Sequence, residues 1–234
     1  RSLPAQELTA LADRIWYPIW DAGVRLDHSV RTVTQCRQVA ASDLTAAVGL
    51  LDLAPLAGDE QLVVAARSTV AHDWRGNALK RLPLLVEAVA SRHQRQGDLA
   101  QSIEPELKEA HGGLRDMTVL SALAEAWLAD RPHGGVDAAQ ATLLDVRDAV
   151  HVVTGRGRDR LGREDHDAVA ALLGHQDSDD LLTAVSHAGR VIAYALDGTL
   201  RRAGQSQRAR TLRVGPRRPQ MTPLGHGLFS SDGE

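Results

Sequence analysis

Lys108-Glu109-Ala110-His111-Gly112-Gly113-Leu114-Arg115-Asp116 interrupts a 234-residue chain that is otherwise patterned almost throughout for helices. Paired glycines let a backbone reach positive φ and approach a neighbour closely, and the lysine and arginine that flank them offer charge to an anion such as phosphate. Lys108 is one of only two lysines in the chain, the other being Lys80. Taken alone, the stretch also reads as a helix C-cap followed by a solvated loop.

The helical pattern extends outward from this loop in both directions. Upstream, Leu79, Leu82, Val86 and Val89 fall on one face of a long helix. Downstream, Leu120, Leu123 and Trp127 mark a second, and Leu143, Val146, Val150 and Val153 a third. Asp165 to Leu173 adds a shorter helix. Ser178 to Leu200 adds a long one, bounded by Asp177 and Gly204, with Leu182, Val185, Ile192 and Leu196 inward. Such stripes are buried only by facing one another, so this part reads as a helical bundle.

The N-terminal part is more mixed. Leu8, Leu11, Ile15 and Ile19 predict a helix from about Ala5 to Ile19, which Pro18 ends or kinks. From Gly23 to Val33, Val24, Leu26, His28 and Val30 alternate with polar residues, the pattern of a strand with Asp21 at its entrance. Thr34 to Leu53 reads as two short helices with Ser42 and Asp43 placed for a cap, and Leu56-Ala57 as a short strand before the Gly58-Asp59 turn. Residues 205–234 are rich in Arg, Gly and Pro without periodicity and read as a linker. No internal repeat is present.

Composition bounds the class. With 43% hydrophobic but only 3% aromatic residues, the core must be built mainly from Leu, Val and Ala. A net charge of −3 and a pI near 6.4 argue against broad nucleic-acid binding. No apolar run is long enough to span a bilayer and no secretory signal is visible, so a cytoplasmic protein with no membrane partner is expected. The single Cys36 excludes an intrachain disulfide and reads as a buried or half-buried helix residue. His72-Asp73 and His166-Asp167 resemble metal dyads but lack further ligands, and Arg156-Gly-Arg158-Asp-Arg160 and Arg217-Arg218 read as solvated basic turns. Trp16, Trp20 and Trp127 read as core anchors.

Two separated motifs give a more specific reading. Trp20-Asp21-Ala22-Gly23 leads into His28-Ser29-Val30-Arg31-Thr32, and Glu104-Pro105-Glu-Leu-Lys108-Glu109 leads into Gly112-Gly113-Leu114-Arg115-Asp116. In this order the chain resembles the bifunctional PII-protein uridylyltransferase/uridylyl-removing enzymes of the nucleotidyltransferase superfamily. The likeness extends to Leu56-Ala-Gly58-Asp59-Glu60 and to the helical stretch from Asp145 to Leu200. A related Gly-Gly-x-Arg-Asp element occurs in glutamine synthetase adenylyltransferases.

The resemblance implies a mainly α fold: the C-terminal part of a small α/β nucleotidyltransferase domain over residues 1–60, a helical bundle domain over 61–204 that closes on the substrate, and a linker over 205–234. The implied reaction transfers UMP from UTP to a tyrosine of a PII nitrogen-signalling protein. Asp21 would be the third metal-binding catalytic carboxylate, holding Mg2+ beside the attacking oxygen. His28, Ser29 and Arg31 would approach the nucleotide, with Lys108 and Arg115 supplying charge, Gly112 and Gly113 permitting close approach, and Asp116 orienting Arg115 or capping the next helix. The family's Gly-Gly or Gly-Ser turn followed by Asp-x-Asp is not present, nor is its phosphohydrolase domain. The expectation is therefore a central piece of such an enzyme, inactive by itself. Nothing here reads uracil against adenine, so UTP and ATP both stand. A glutamine synthetase adenylyltransferase and a non-catalytic helical interaction module are the alternatives.

Overall fold

The computed structural model describes residues 4–24, 26–210, 221–225 and 228–231. The fold is mainly α. In chain order the helices are α1 (Ala5–Asp21), α2 (Val33–Ser42), α3 (Leu44–Leu51), α4 (Glu60–Gly76), α5 (Ala78–Gln96), α6 (Leu114–Glu125), α7 (Gly135–Thr154), α8 (His166–Leu173) and α9 (Ser178–Arg210). Among the described residues the only strands are β1 (Met221–Gly225) and β2 (Leu228–Ser231), which pair antiparallel with a register irregularity between Pro223 and Gly225.

Side-chain caps set the N-terminal helix boundaries. Thr32 and Gln35 form a reciprocal capping box that starts α2, Asp43 accepts from the Ala46 N–H at 2.9 Å to start α3, and Asp59 accepts from Gln61 to start α4. Each cap satisfies an N–H that the first helical turn would otherwise leave open. The cap at Asp43 agrees with the sequence reading, whereas α4 carries no clear apolar stripe.

The long α9 is the axis of the bundle. It packs on α7 most extensively, then on α6, α8, α5 and the short 3-10 turn Leu99–Gln101, while α2, α3 and α4 form a second group joined to α6. Leu120, Leu123, Leu143, Val150, Ile192 and Leu196 are completely or almost completely buried at the centre, as their spacing predicts. Leu181 is the fully buried residue at the start of α9, and its neighbour Leu182 is only partly buried. Trp74 supplies the one large aromatic of this core, with its indole N–H donating to the Ala122 carbonyl at 2.8 Å across α4 and α6.

Several expectations are corrected. Trp127 is 70% exposed, because α6 ends at Glu125 and the stripe no longer applies; it adopts a left-handed φ of 54° under the Arg75 guanidinium. Gly23 to Val33 and Leu56-Ala57 form no strand, since a strand exists through its ladder and no described segment pairs with either. Asp21 therefore closes a helix. The helix α1 runs through Pro18, and its stripe of Leu8, Leu11 and Ile15 is exposed, with no substantial helix packed on it among the described residues. The segment expected as a linker begins as the last turn of α9 and contains the β1–β2 hairpin; Arg217 and Arg218 lie outside the described residues.

Candidate functional site

The Gly-Gly loop is held by one buried carboxylate. Asp116, in the first turn of α6, is 0% exposed; its Oδ2 accepts the Gly112 N–H at 2.8 Å, and its Oδ1 meets Arg92 at 2.5 Å and His93 Nε2 at 2.9 Å. Burial works to raise this carboxyl, but the hydrogen bond from His93 and the adjacent Arg92 guanidinium overcome it and hold it below the usual range. Arg92 also donates to the Glu109 carbonyl at 2.7 Å, so one arginine at the end of α5 ties both sides of the loop. Asp116 thus orients Arg92, His93 and the Gly112 amide, and does not touch Arg115. Its complete burial makes it a positioning residue for the loop and removes it from direct contact with a nucleotide.

The two glycines differ from each other. Gly112 has φ +85°, and a Cβ placed there would lie 2.3 Å from the Gly189 carbonyl oxygen of α9. Gly113 has φ −85° and ψ 178°, an ordinary extended backbone, so the expected positive φ is absent. Its constraint is space, because a Cβ would sit 2.8 Å from the Lys108 carbonyl oxygen. The close approach that the pair permits is therefore made to the protein's own backbone. Gly189 completes it, since its missing side chain also admits Leu99. An isolated glycine inside the helical pattern of residues 178–200 was the available signal, because such a residue costs helix stability and generally has a packing reason.

Both loop cations face carboxylates. Arg115 donates through Nε and a terminal nitrogen to Glu109 Oε1 at 3.1 and 2.9 Å, and Lys108 Nζ lies 3.4 Å from Asp159, which also accepts from Arg147 at 2.5 Å. Burial opposes ionisation of Asp159, and Arg147 together with Lys108 keeps its carboxyl below the usual range. Arg115 retains 42% side-chain exposure and Lys108 36%, so both reach solvent at the loop rim. The turn before them is capped by Glu106, whose Oε2 accepts from the Glu109 and Ala110 amides. Burial pushes the Glu106 carboxyl up against those amides. Arg92, His93, Asp159 and Gly189 were missed by sequence reasoning because their partners lie in other elements, and Glu106, whose partners are local, because its cap lies in a turn rather than at a helix start.

The other predicted residues form a separate group. Asp21 is exposed at the end of α1, and Ser29 and Arg31 are exposed on the segment leading to α2. The His28 ring lies 4.1 Å from Trp16 and 4.9 Å from Trp20, and the Trp20 indole N–H donates to the Leu26 carbonyl. These rings fold the segment back on α1 in place of a strand. Thr32, the last residue of the His-Ser-Val-Arg-Thr motif, caps α2. Neither Asp21 nor the two loop cations line the clefts of about 740 and 480 Å3 that the bundle carries. Asp73 of the His72-Asp73 pair is engaged by Arg37; in the His166-Asp167 pair His166 is buried rather than on a surface face, and Asp167 is exposed. Cys36 is half-buried on α2.

The family model described as GlnD PII-uridylyltransferase matches residues 82–127 and 117–193, which hold most of α5, the latched loop, α6, α7, α8 and the first half of α9. The bifunctional uridylyltransferase/uridylyl-removing enzyme of Streptomyces coelicolor is 49% identical over 238 residues, covering 97% of this chain. This chain belongs to the PII-uridylyltransferase family. The enzymes of the same description from Mycobacterium tuberculosis and Corynebacterium glutamicum are 45% and 39% identical, over 99% and 80% of the chain. The chain spans 28% of the length of the Streptomyces relative and 30% of the Mycobacterium one. No solved structure matches it.

The resemblance of this family member to nucleotidyltransferases implies a magnesium ion, against which the side chains present can be tested. Among the described residues no three His, Cys, Asp or Glu side chains are grouped to hold a metal ion. The described residues thus group no three-ligand metal site by themselves, and Asp21 is the carboxylate that the resemblance would give to the metal.

Proposed function

We propose that this chain is part of a PII-modifying nucleotidyltransferase, acting in a protein of its relatives' length to transfer UMP from UTP to a tyrosine hydroxyl of a PII signalling protein. The observation that carries the reading is the 49% identity to a bifunctional uridylyltransferase/uridylyl-removing enzyme across 97% of the chain. Two features of the structure support the reading. Asp21, exposed and next to the ring cluster of Trp16, Trp20 and His28, is accessible to serve as a metal-binding carboxylate. The bundle presents Lys108 and Arg115 at the rim of a loop whose backbone is held by Asp116, so the backbone that carries them is in place before a phosphate arrives. To reach a triphosphate they exchange Asp159 and Glu109 for phosphate oxygens, one charge-assisted contact for another.

The test uses the full-length enzyme and labelled UTP with purified PII. Asp21→Asn removes a charge without changing shape and is expected to abolish UMP incorporation while leaving uridylyl removal in place. Transfer at the wild-type rate in that variant returns Asp21 to a structural role. The 234-residue chain by itself is expected to incorporate no label, since it carries no Gly-Gly or Gly-Ser turn leading into Asp-x-Asp.

A further inference from the structure

The cleft of about 480 Å3 between the start of α7 and the middle of α9 takes no part in the reading above. Arg190, Tyr194, Gly198, Arg201 and Arg202 succeed one another along a single face of α9, and Gly135 and Val136 of α7 form the opposite wall. Its lining carries three arginines and two histidines but no aspartate or glutamate. Among the described residues none of the three arginines has a carboxylate partner: Arg190 donates to Ser186 at 2.6 Å and Arg202 to Thr199 at 2.8 Å, both hydroxyls of α9 itself. The neighbouring Asp197 points away, to His111 at 3.4 Å, and Asp137 of α7 is taken by Arg131 and by His133 of the lining.

Two of these cations converge. A Cβ built on Gly198 would lie 3.4 Å from a terminal nitrogen of Arg202 and 3.9 Å from one of Arg201. Like charges brought over one point repel, whereas elsewhere in this chain two arginines, Arg67 and Arg75, share the carboxylate of Glu125. One helical turn before Gly198, about 6 Å along the axis, the Tyr194 ring stands 78% exposed beside the half-buried Val191. A flat apolar surface one turn from an uncompensated guanidinium pair is the arrangement that receives a base or ribose together with its phosphate. A volume of this order falls in the range of small-molecule sites, whose walls are apolar with a few convergent polar groups.

We propose that this cleft binds a nucleoside phosphate, with the phosphates on Arg201 and Arg202 over Gly198, the base against Tyr194, and Arg190 at the far end. The site is distinct from Asp21 and the Gly-Gly loop, and binding there is measurable in the chain without any transfer activity, so its failure and that of the proposed reaction are separable.

Calorimetric titration of the 234-residue chain in low salt without divalent metal, using UTP, ATP, inorganic tripolyphosphate and uridine, tests the assignment. Both nucleotides and tripolyphosphate are expected to saturate. The double variant R201A/R202A should weaken all three by about tenfold or more, the loss of charge-assisted hydrogen bonds. Tyr194→Ala should weaken the nucleotides and leave tripolyphosphate unchanged. Because arginine truncation on a helix could loosen α9, Gly198→Leu serves as a second variant: it favours the helix, wedges the guanidiniums apart and should also abolish binding. Arg95→Ala, an exposed arginine on α5, should bind as wild type. Absence of saturable nucleotide and tripolyphosphate binding, unchanged binding in both R201A/R202A and Gly198→Leu, or binding of polyglutamate in preference to nucleotide would each overturn the proposal, the last reassigning the groove to an acidic protein segment.

Discussion

Replacing Asp116 by Ala is the perturbation with the largest expected effect on this fold. The side chain is completely buried and satisfies three donors, of which Arg92 is itself 9% exposed and His93 partly buried. Removing one member of a buried charge pair costs about 3–5 kcal/mol, because the other charge is left without compensation. The Gly112 N–H loses its acceptor as well, and an unsatisfied buried amide costs about 1–3 kcal/mol by itself. These do not add fully, so about 4 kcal/mol is expected, a large share of the roughly 5–15 kcal/mol that holds a domain together. The assay is urea unfolding of the 234-residue chain, followed by far-ultraviolet dichroism and by fluorescence of the buried Trp74. Asp116→Asn keeps the shape and part of the hydrogen bonding and should fall between wild type and Asp116→Ala. The double variant R92M/D116L, which removes both charges, should recover much of the loss. A loss under about 1 kcal/mol for Asp116→Ala would refute the latch, since burial and three bonds cannot be removed so cheaply.

Other outcomes follow from the same geometry. Gly112→Ala meets both a φ of +85° and the Gly189 carbonyl, so it should cost more than Gly189→Ala, whose new methyl meets the movable end of Leu99 and gains helix propensity; equal melting temperatures for the two would contradict the close crossing of loop and helix. Lys108→Ala and Arg115→Ala break half-exposed pairs and should change folding by under about 1 kcal/mol, yet in the full-length enzyme weaken nucleotide use by roughly 1.5–3 kcal/mol; stability loss above about 2 kcal/mol with normal kcat/KM assigns them to architecture. The depressed Asp116 carboxyl contributes stability that is present above the ordinary aspartate value near 4 and lost as pH falls through its lower folded value, so acid unfolding of Asp116→Asn should be flatter than that of wild type. Glu106 carries the opposite sign: its raised carboxyl favours the fold at low pH and loses that contribution as pH rises through its folded value, so Glu106→Gln should gain on wild type toward neutral pH.

The helical bundle was legible because burial repeats along a helix. Leu143, Val146 and Val150, or Val185, Ile192 and Leu196, announce their inward face by spacing alone, and each proves buried. Local hydrogen bonding was legible too, as at Asp43, where cap and helix lie three residues apart. Where the reading failed, the deciding partner was distant or missing. Trp127 looked inward only while α6 was assumed to continue past Glu125. The alternation from Val24 to Val30 is compatible with a strand, but a strand requires a neighbour to pair with, and in its absence the rings of Trp16, Trp20 and His28 provide the local alternative. Gly112 and Gly113 were recognisable as a place of close approach; that the approach is to Gly189, 77 residues away by subtraction, is tertiary information.

The Gly112–Gly189 crossing makes the Gly-Gly element a scaffold feature first. A loop that presents charge to a substrate must resist being pulled toward it, since any displacement of the loop subtracts from binding energy. Here the backbone is fixed from beneath by Asp116 and from the side by the Gly112–Gly189 crossing, while Lys108 and Arg115 remain at the rim on carboxylates that are only partly buried. The glycines and the aspartate therefore act on the scaffold, and the lysine and arginine are the cations of the motif whose partners can be exchanged without opening the core. A nucleotide would reach the loop by displacing Glu109 and Asp159 from those two side chains, leaving the buried contacts among Arg92, His93 and Asp116 as they are. Substitutions within the nine-residue stretch should accordingly separate into two classes, with Gly112, Gly113 and Asp116 read out in stability and Lys108 and Arg115 in substrate use.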